Sequence, residues 1–269
     1  MKQIESLFTP TRETDFSTGE TLSLIGVAAL VAVAISWIPI VNMLDYPLQL
    51  MLTLVHELGH GLAAIITGGT FHNFRVAPDG SGVAFTSGGW RLLIIPAGYL
   101  SVAVFAAALI SLGRTHRRSR IALGIIGGAM IIFSLCFGRP AEASIMAVGL
   151  SVLTIMIGCI FGALFLRTAL KASAGMVVFL LHLVAIKAGL TAFTDLFGLF
   201  GITLNSTFGT QINDAANMAA LTHLPAFFWA LVWIGFAVVI IGAAIKLTWF
   251  SGSRLEQPDR SFLVRNNRS

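Results

Sequence analysis

Three residues in the segment VHELGH, at residues 55–60, are of types that hold a metal ion and activate water. His56, Glu57 and His60 fit the pattern H-E-x-x-H, and residues i and i+4 of a helix lie on one face about 6 Å apart. Both imidazoles can therefore reach one tetrahedral Zn²⁺, with the glutamate beside the open coordination position. Zinc lowers the pKa of a bound water to about 7, and the glutamate can accept its proton as that water attacks a carbonyl. The spacing is typical of a hydrolytic zinc site.

The position of this pattern strengthens the interpretation. It interrupts an apolar run at residues 46–68, and an ionisable side chain at the centre of a bilayer costs roughly 2.5 to 3.5 kcal/mol or more. Metal ligation in the interior of a helix bundle compensates for this burial, whereas three lipid-facing polar side chains would have no compensation. The location therefore favours a metal site over an accidental match.

The composition of the chain indicates the environment in which these residues lie. Hydrophobic residues make up 56% of the chain and charged residues 11%, and the mean hydropathy is +0.87, outside the usual balance of a soluble domain. Apolar runs that reach or approach the roughly 20 residues of a spanning helix occupy residues 21–44, 46–68, 92–113, 121–138, 143–166, 172–200 and 224–245. Because none alternates as barrel strands do, we expect an all-α polytopic membrane protein with about six or seven transmembrane helices.

Polar segments set the boundaries of one long domain. We expect a polar N-terminal tail at residues 1–20, a single transmembrane domain at residues 21–250 and a basic C-terminal tail at residues 251–269. Directly after the HELGH segment, TFHNFRVAPDGSGVAFTSGG places two short apolar stretches around a Gly-rich turn. This pattern predicts a short β-hairpin at about residues 70–88, with Asp79 as a turn residue.

Basic residues predict the orientation in the membrane. They cluster in the loop RTHRRSR at residues 114–120, in the next loop at Arg167 and Lys171, and in the C-terminal tail. Seven spans put these three segments on one side, which the positive-inside rule makes cytoplasmic. We therefore expect a multi-pass protein of the cell membrane. The net charge of +5 then reflects topology, and we expect no nucleic-acid partner, because no basic and aromatic surface stands outside the membrane segments.

The sequence around HELGH resembles the site-2 proteases, a family of intramembrane zinc metallopeptidases, and specifically their compact B-type branch without a PDZ domain. The resemblance covers about residues 46–245. It rests on VHELGHGLAAIITGG at residues 55–69, PDGSGV in the hairpin, RLLIIPAGYL at residues 91–100, and the distal stretches TDLFGLF and INDAANMAALTHLPAFFWALVW. It implies that His56 and His60 bind zinc, that Glu57 is the base, and that an aspartate from a distant helix is the third ligand.

The third ligand is not evident from its surroundings. Typical members place it in an N-P-x-x-x-D-G or L-D-G setting, but the sole Asp-Gly here is Asp79–Gly80 in the hairpin turn. Elimination among the few carboxylates leaves Asp195 and Asp214. We expect Asp195, because it ends a largely apolar run and should enter the bundle at membrane depth. Asp214 is the alternative third ligand, because INDAANMA could open a helix that returns toward the site.

Two other ionisable residues interrupt the run that ends at Asp195. His182 is a further candidate ligand, although a satisfied core histidine is the simpler interpretation. Lys187 lies eight residues before Asp195, about 12 Å along a helix and roughly 80° around it, so direct pairing is not expected. Its simplest role is snorkelling or contact with a helix carbonyl, and the alternative is a position beside the site or a cavity.

These features predict a zinc metalloendopeptidase that hydrolyses peptide bonds within or next to transmembrane segments of membrane-protein substrates. Residues 21–250 would then form one transmembrane peptidase domain. The hairpin could offer a strand edge, with possible contacts at Phe74, Val83 and Phe85, to an unwound substrate. The alternative is a non-proteolytic zinc-binding membrane protein, either a metal carrier or a catalytically silent relative acting as a binding partner. A carrier would show several ligand sets or repeated broken helices, and the sequence shows one set and no repeat.

Overall fold

Helices dominate the structure, a computed structural model that describes residues 18–38, 45–140, 142–205 and 213–250. The elements in these ranges are α1 (Thr18–Trp37), α2 (Asp45–Ile66), β1 (Thr70–Val76), β2 (Gly82–Ser87), α3 (Arg91–Leu112), α4 (His116–Phe137), α5 (Ile145–Lys171), α6 (Ala174–Asn205), α7 (Asp214–Thr222) and α8 (Ala226–Ile245). A π-helical turn at Lys246–Phe250 continues α8. All of these helices except α7 are long and apolar enough to cross a membrane, which gives seven spans among the described residues.

The predicted fold class is therefore confirmed, including the hairpin after the HELGH helix. The predicted C-terminal tail and most of the predicted N-terminal tail lie outside the described residues. Since no water is present in the bilayer core, the apolar runs must pair their backbone groups within the segment, and helices do so.

Polar residues mark the points where several helices begin. The side chains of Thr115, Ser144 and Asn213 each accept a hydrogen bond from the backbone N–H three residues later, at the starts of α4, α5 and α7. Such caps satisfy N–H groups that have no partner within the helix. The cap at α7 also sets the direction of the residue that follows it, Asp214.

Helices α2, α3 and α6 form the centre of the bundle. Helix α3 packs against α2, α6 and α8, whereas α1 lies at the periphery and packs mainly against α6. A Cβ on Gly59 of α2 would overlap Ser101 and the backbone carbonyl of Ala97 on α3, so the glycine permits close approach of these two helices. The HELGH helix is thereby held directly against the helix that contains RLLIIPAGYL.

The hairpin folds back along α2 instead of projecting from the bundle. Tyr46 donates its hydroxyl hydrogen to the Pro78 carbonyl at 2.6 Å, and Thr53 donates to the Gly80 carbonyl at 2.9 Å. The hairpin tip thus lies beside the N-terminal half of α2, while β1 follows directly after its C-terminal end. The two strands consequently run past the face of α2 that carries the HELGH residues.

Candidate metal centre

Three side chains converge between α2 and α7. The Nε2 atoms of His56 and His60 lie 3.2 Å apart, and Oδ2 of Asp214 lies 3.3 Å from each of them. Within the described ranges, these three residues form the group of metal-binding side chains whose donor atoms all lie within 4.8 Å of one another. One face of α2 supplies both imidazoles because the two histidines are four residues apart.

The spacing of these donors fits a zinc ion. Ligand bonds of about 2.0 to 2.1 Å in tetrahedral geometry separate the donor atoms by about 3.3 Å. The observed separations of 3.2, 3.3 and 3.3 Å match this value. Two imidazole nitrogens and one carboxylate oxygen also form the kind of donor set that catalytic zinc sites use, with a fourth position left for water or substrate.

A hydrogen bond fixes the ring of His60 in the orientation required for ligation. Its Nδ1 donates to the Ile94 carbonyl at 2.8 Å, because a carbonyl oxygen can only accept. In the neutral imidazole, the proton on Nδ1 leaves the lone pair of Nε2 free to face Asp214. Such a second hydrogen bond is the usual way in which proteins orient a metal-binding histidine.

A glycine on α3 makes room for the three donors. A Cβ on Gly98 would collide with Nε2 of both His56 and His60, so any larger residue would displace the imidazoles. Gly98 belongs to RLLIIPAGYL, a segment on which the family resemblance rested but to which sequence reasoning assigned no role. Its neighbour Tyr99 places its ring edge-to-face against His56, with 4.6 Å between ring centroids.

The start of α7 directs Asp214 toward the histidines. Asn213 caps the helix by accepting from the Ala216 N–H at 2.9 Å, which leaves the Asp214 carboxylate without a capping role. Burial raises the pKa of this carboxyl, but the hydrogen bonds and charge of His56 and His60, when these imidazoles are protonated, lower it more, so its pKa then lies well below the ordinary value. The lowered pKa favours the ionised carboxylate, which is the form that coordinates a metal.

The preference for Asp195 as the third ligand is corrected by this geometry. Asp195 lies on α6 and is not a member of the converging group, and its side chain is open to the adjoining cavity. Asp195 was expected because it ends an apolar run and should lie at membrane depth. The structure differs because α7, which begins at Asp214, returns into the bundle and packs against α3, α6 and α8. The polar stretch before Asp214 therefore does not keep that residue at the interface.

The other two candidates lie away from the donors. His182 donates from Nδ1 to the Val178 carbonyl at 2.8 Å. It lies against Gly113, the residue that follows the C-terminal end of α3. Asp79 is the expected turn residue, and its Oδ1 accepts from the backbone N–H and the hydroxyl of Ser81. These hydrogen bonds lower the pKa of the Asp79 carboxyl.

Glu57 lies buried between the metal ligands and the hairpin. Its exposed fraction is 5%, and a Cβ on Gly82 would overlap its carboxyl group. The backbone amide of Ala84 is close enough to act on the Glu57 carboxylate. Strand β2 thus covers the residue predicted to be the base, and Gly82 is a second glycine whose role sequence reasoning missed.

The pairing of the hairpin shows which backbone groups remain available. Strands β1 and β2 are antiparallel, with Val76 opposite Gly82 and Phe74 opposite Ala84. The Val76 N–H turns away from β2 and donates to Thr154 Oγ1 at 2.8 Å. Because hydrogen-bonded and non-hydrogen-bonded pairs alternate in an antiparallel ladder, Gly82 and Ala84 direct their backbone groups to the open edge of β2.

The predicted hairpin contacts change accordingly. Phe74 is fully buried in the core, so it offers no surface to another chain, and this expectation is wrong. Val83 and Phe85 lie opposite Arg75 and Asn73, so their backbone groups belong to the ladder and not to the open edge. Their side chains remain partly exposed.

A cavity of about 1100 Å³ joins these features. Its walls come from one face of α2, the open edge of β2, the first part of α3, one face of α6 and the start of α7. Residues of the metal centre that line it are His56, Glu57, His60 and Asp214, and residues of the other walls include Asp45, Gln49, Gly82, Ala84, Lys187, Thr191, Thr194 and Asp195. The open position of the metal centre, Glu57 and a free strand edge therefore share one space.

The fold and site define a class of protein: a multi-pass membrane protein with an H-E-x-x-H helix and a distant aspartate converging on one metal position. A family model described as Peptidase M50B-like matches residues 26–244. The chain therefore belongs to this family of membrane metallopeptidases, in agreement with its resemblance to the site-2 proteases. No curated protein and no solved structure matched the sequence.

Proposed function

We propose that the protein is an intramembrane zinc endopeptidase that cleaves peptide bonds within or next to transmembrane segments of other membrane proteins. The observation that carries the proposal is the convergence of His56, His60 and Asp214 on one metal position beside the buried Glu57. Family membership supports a membrane metallopeptidase. Glu57 favours the peptidase over a metal carrier or a silent relative, because neither of these needs a base beside the metal.

His56, His60 and Asp214 would hold the ion, and Glu57 would act on the substrate water. Zn²⁺ bound there would supply Lewis-acid polarisation and acidify a water molecule. Glu57, buried under β2, accepts the proton of the attacking water and passes it to the leaving amine. The Ile94 carbonyl keeps the His60 ring oriented during this cycle.

The open edge of β2 is suited to present the substrate. A transmembrane segment that unwinds loses its internal hydrogen bonds, and pairing with the backbone of Gly82 and the carbonyl of Ala84 would replace part of them. An extended strand exposes its scissile carbonyl, whereas a helix keeps that carbonyl hydrogen-bonded. Because the same edge lies over Glu57, strand addition would bring the carbonyl to the base.

We further propose that the protein resides in the cell membrane with its basic loops and C-terminus in the cytoplasm. The start of α4, with Arg117, Arg118 and Arg120, and the end of α5, with Lys171, lie on the same side of the bundle, since Arg120 donates to the Ala169 and Ala172 carbonyls. The positive-inside rule places such a side in the cytoplasm. The partners are then the bilayer and a membrane-protein substrate.

The test compares membranes that contain wild-type protein with membranes that contain Glu57→Gln. The amide preserves size and cannot accept the proton, so we expect an intact membrane-anchored protein to accumulate only with the variant, while zinc content stays at the wild-type level. Glu142→Gln is the matched control, because Glu142 is exposed and lies outside the cavity. Equal proteomes for Glu57→Gln and the wild type, with zinc bound in both, would contradict the proposed function.

A further inference from the structure

Asp195 is a cavity carboxylate that the proposed chemistry does not use. It lines the space that contains the metal centre, and its side chain is exposed there. Across the described residues it forms no hydrogen bond and no ion pair within 4.0 Å. An acidic side chain that lies on a membrane-spanning helix and faces a cavity marks a path for ions or substrates.

The other charged groups of the cavity already have partners. Asp214 faces the two imidazoles, and Glu57 lies beside them under β2. Asp45 pairs with Lys187 at 2.7 Å. Lys187 also acts on the charge of Asp195 from a longer distance, but its ammonium is held by Asp45. None of these described groups lies within ion-pair distance of Asp195.

The position of Asp195 places it close to the bond to be cleaved. Helices α2 and α6 contact each other, and the pair Asp45–Lys187 aligns them at one level. His56 lies eleven residues after Asp45 and Asp195 eight residues after Lys187, which correspond to about 16 Å and about 12 Å along the helices. His56 and Asp195 line the same cavity, in agreement with a position of Asp195 at the depth of the metal centre on the wall formed by α6.

We propose that Asp195 binds a lysine or arginine side chain of the substrate, so that a basic residue within a few positions of the scissile bond determines specificity. This inference rests on the proposed function. A substrate strand paired with β2 would lie between β2 and α6, and every second side chain would point away from the sheet plane toward one wall. An ammonium or guanidinium on such a side chain would supply the missing counter-charge, and its alkyl stem would lie along the apolar lining.

The binding test uses Glu57→Gln protein in bilayer nanodiscs, so that peptides are held without turnover. The probes are single-span peptides of one sequence in which lysine, glutamine or glutamate occupies each of the positions around the central bond in turn. At one or two positions we expect the lysine peptide to bind about 10- to 100-fold more tightly than its glutamine partner, the range for a hydrogen bond to a charged group.

Variants at Asp195 then separate recognition from general structure. In the same background, Asp195→Asn should reduce the lysine-to-glutamine ratio to about one, and Asp195→Glu should preserve most of it. An equal weakening of all peptides by Asp195→Asn, or a ratio that survives this substitution, would overturn the proposal. If Asp195→Asn fails to fold, the Glu57→Gln protein by itself still tests the proposal. Equal affinity of that protein for the lysine and glutamine peptides would overturn the proposal.

Cleavage by the active protein distinguishes this inference from the proposed function. Mass spectrometry of the same peptide pool should show cuts at a fixed distance from lysine. Cuts without any preference for lysine would overturn the role of Asp195 and leave the peptidase intact. Conversely, zinc-loaded protein that binds lysine peptides preferentially but never cuts the pool would contradict the peptidase while the role of Asp195 stands.

Discussion

The ammonium of Lys187 lies 2.7 Å from Oδ1 of Asp45, and the two side chains are only 4% and 5% exposed. The same ammonium donates to Ser36 Oγ at 2.7 Å, and Gln49 donates to Oδ2 of Asp45 at 2.9 Å. One ion pair thus connects α1, α2 and α6 at the end of the cavity. Sequence reasoning expected Lys187 to snorkel or contact a carbonyl, with a position beside a cavity as the alternative, and the structure shows that alternative.

We predict that Lys187→Met destabilises the bundle strongly. Removal of one partner leaves the Asp45 carboxylate buried without its counter-charge, which costs about 3 to 5 kcal/mol in the free energy of unfolding. The double variant Asp45→Leu with Lys187→Met should recover much of this loss, because it removes both charges. Reversible unfolding in detergent gives the free energies.

Lys171→Met is the matched control for this experiment. Lys171 lies in the last turn of α5 and is exposed, so its replacement should change the free energy of unfolding by no more than about 0.5 kcal/mol. A Lys187→Met protein as stable as the Lys171→Met protein would show that the ion pair contributes little to the fold.

We predict that Asp214, and not Asp195, is required for zinc. Asp214→Ala leaves only the two imidazoles, and a site with two protein ligands is too weak to retain the ion. We expect zinc content well below one ion per chain for Asp214→Ala and near one for Asp195→Asn, measured by elemental analysis after gel filtration. Full occupancy in Asp214→Ala would remove the carboxylate from the ligand set.

The sequence was sufficient for those features whose signal is local. H-E-x-x-H sets the spacing of the two imidazoles on one helix face, and apolar runs of membrane length predict the spans. The Pro-Asp-Gly turn between short apolar stretches likewise predicts the hairpin, because turn chemistry is determined by adjacent residues.

The third ligand could not be predicted in this way, because it depends on how distant elements pack. Asp195 and Asp214 differ in the sequence only by the polarity of the residues before them. The return of α7 against α3 and α8 brings Asp214 to the histidines, and the cap at Asn213 turns its carboxylate toward them. The roles of Gly98 and Gly82 were missed for the same reason, since a glycine shows no chemistry until its neighbour is known.

We predict that Gly98→Ala abolishes zinc binding. The added methyl group would occupy the space of the two Nε2 atoms, and packed helices cannot move apart without loss of contacts. Zinc content should fall well below one ion per chain. Gly235→Ala is the matched control, because Gly235 lies within α8 and a Cβ there meets no atom within 4 Å. A Gly98→Ala protein with full zinc content would show that α3 does not limit the space at the site.

The last prediction concerns strand addition to the open edge of β2. Only every second residue of an added strand directs its N–H toward the neighbouring strand. N-methylation of single residues along a cleaved peptide should therefore reduce kcat/KM at alternate positions, by about 5- to 10-fold for each lost hydrogen bond, with little effect at the positions between them. The intervening positions serve as controls within the same peptide. Because the carbonyls of Gly82 and Ala84 would accept from the substrate N–H groups, at least two sensitive positions are expected near the scissile bond. Effects that recur every three to four residues would indicate that the substrate stays helical during recognition, and equal effects at all positions would remove the hairpin edge from the reaction.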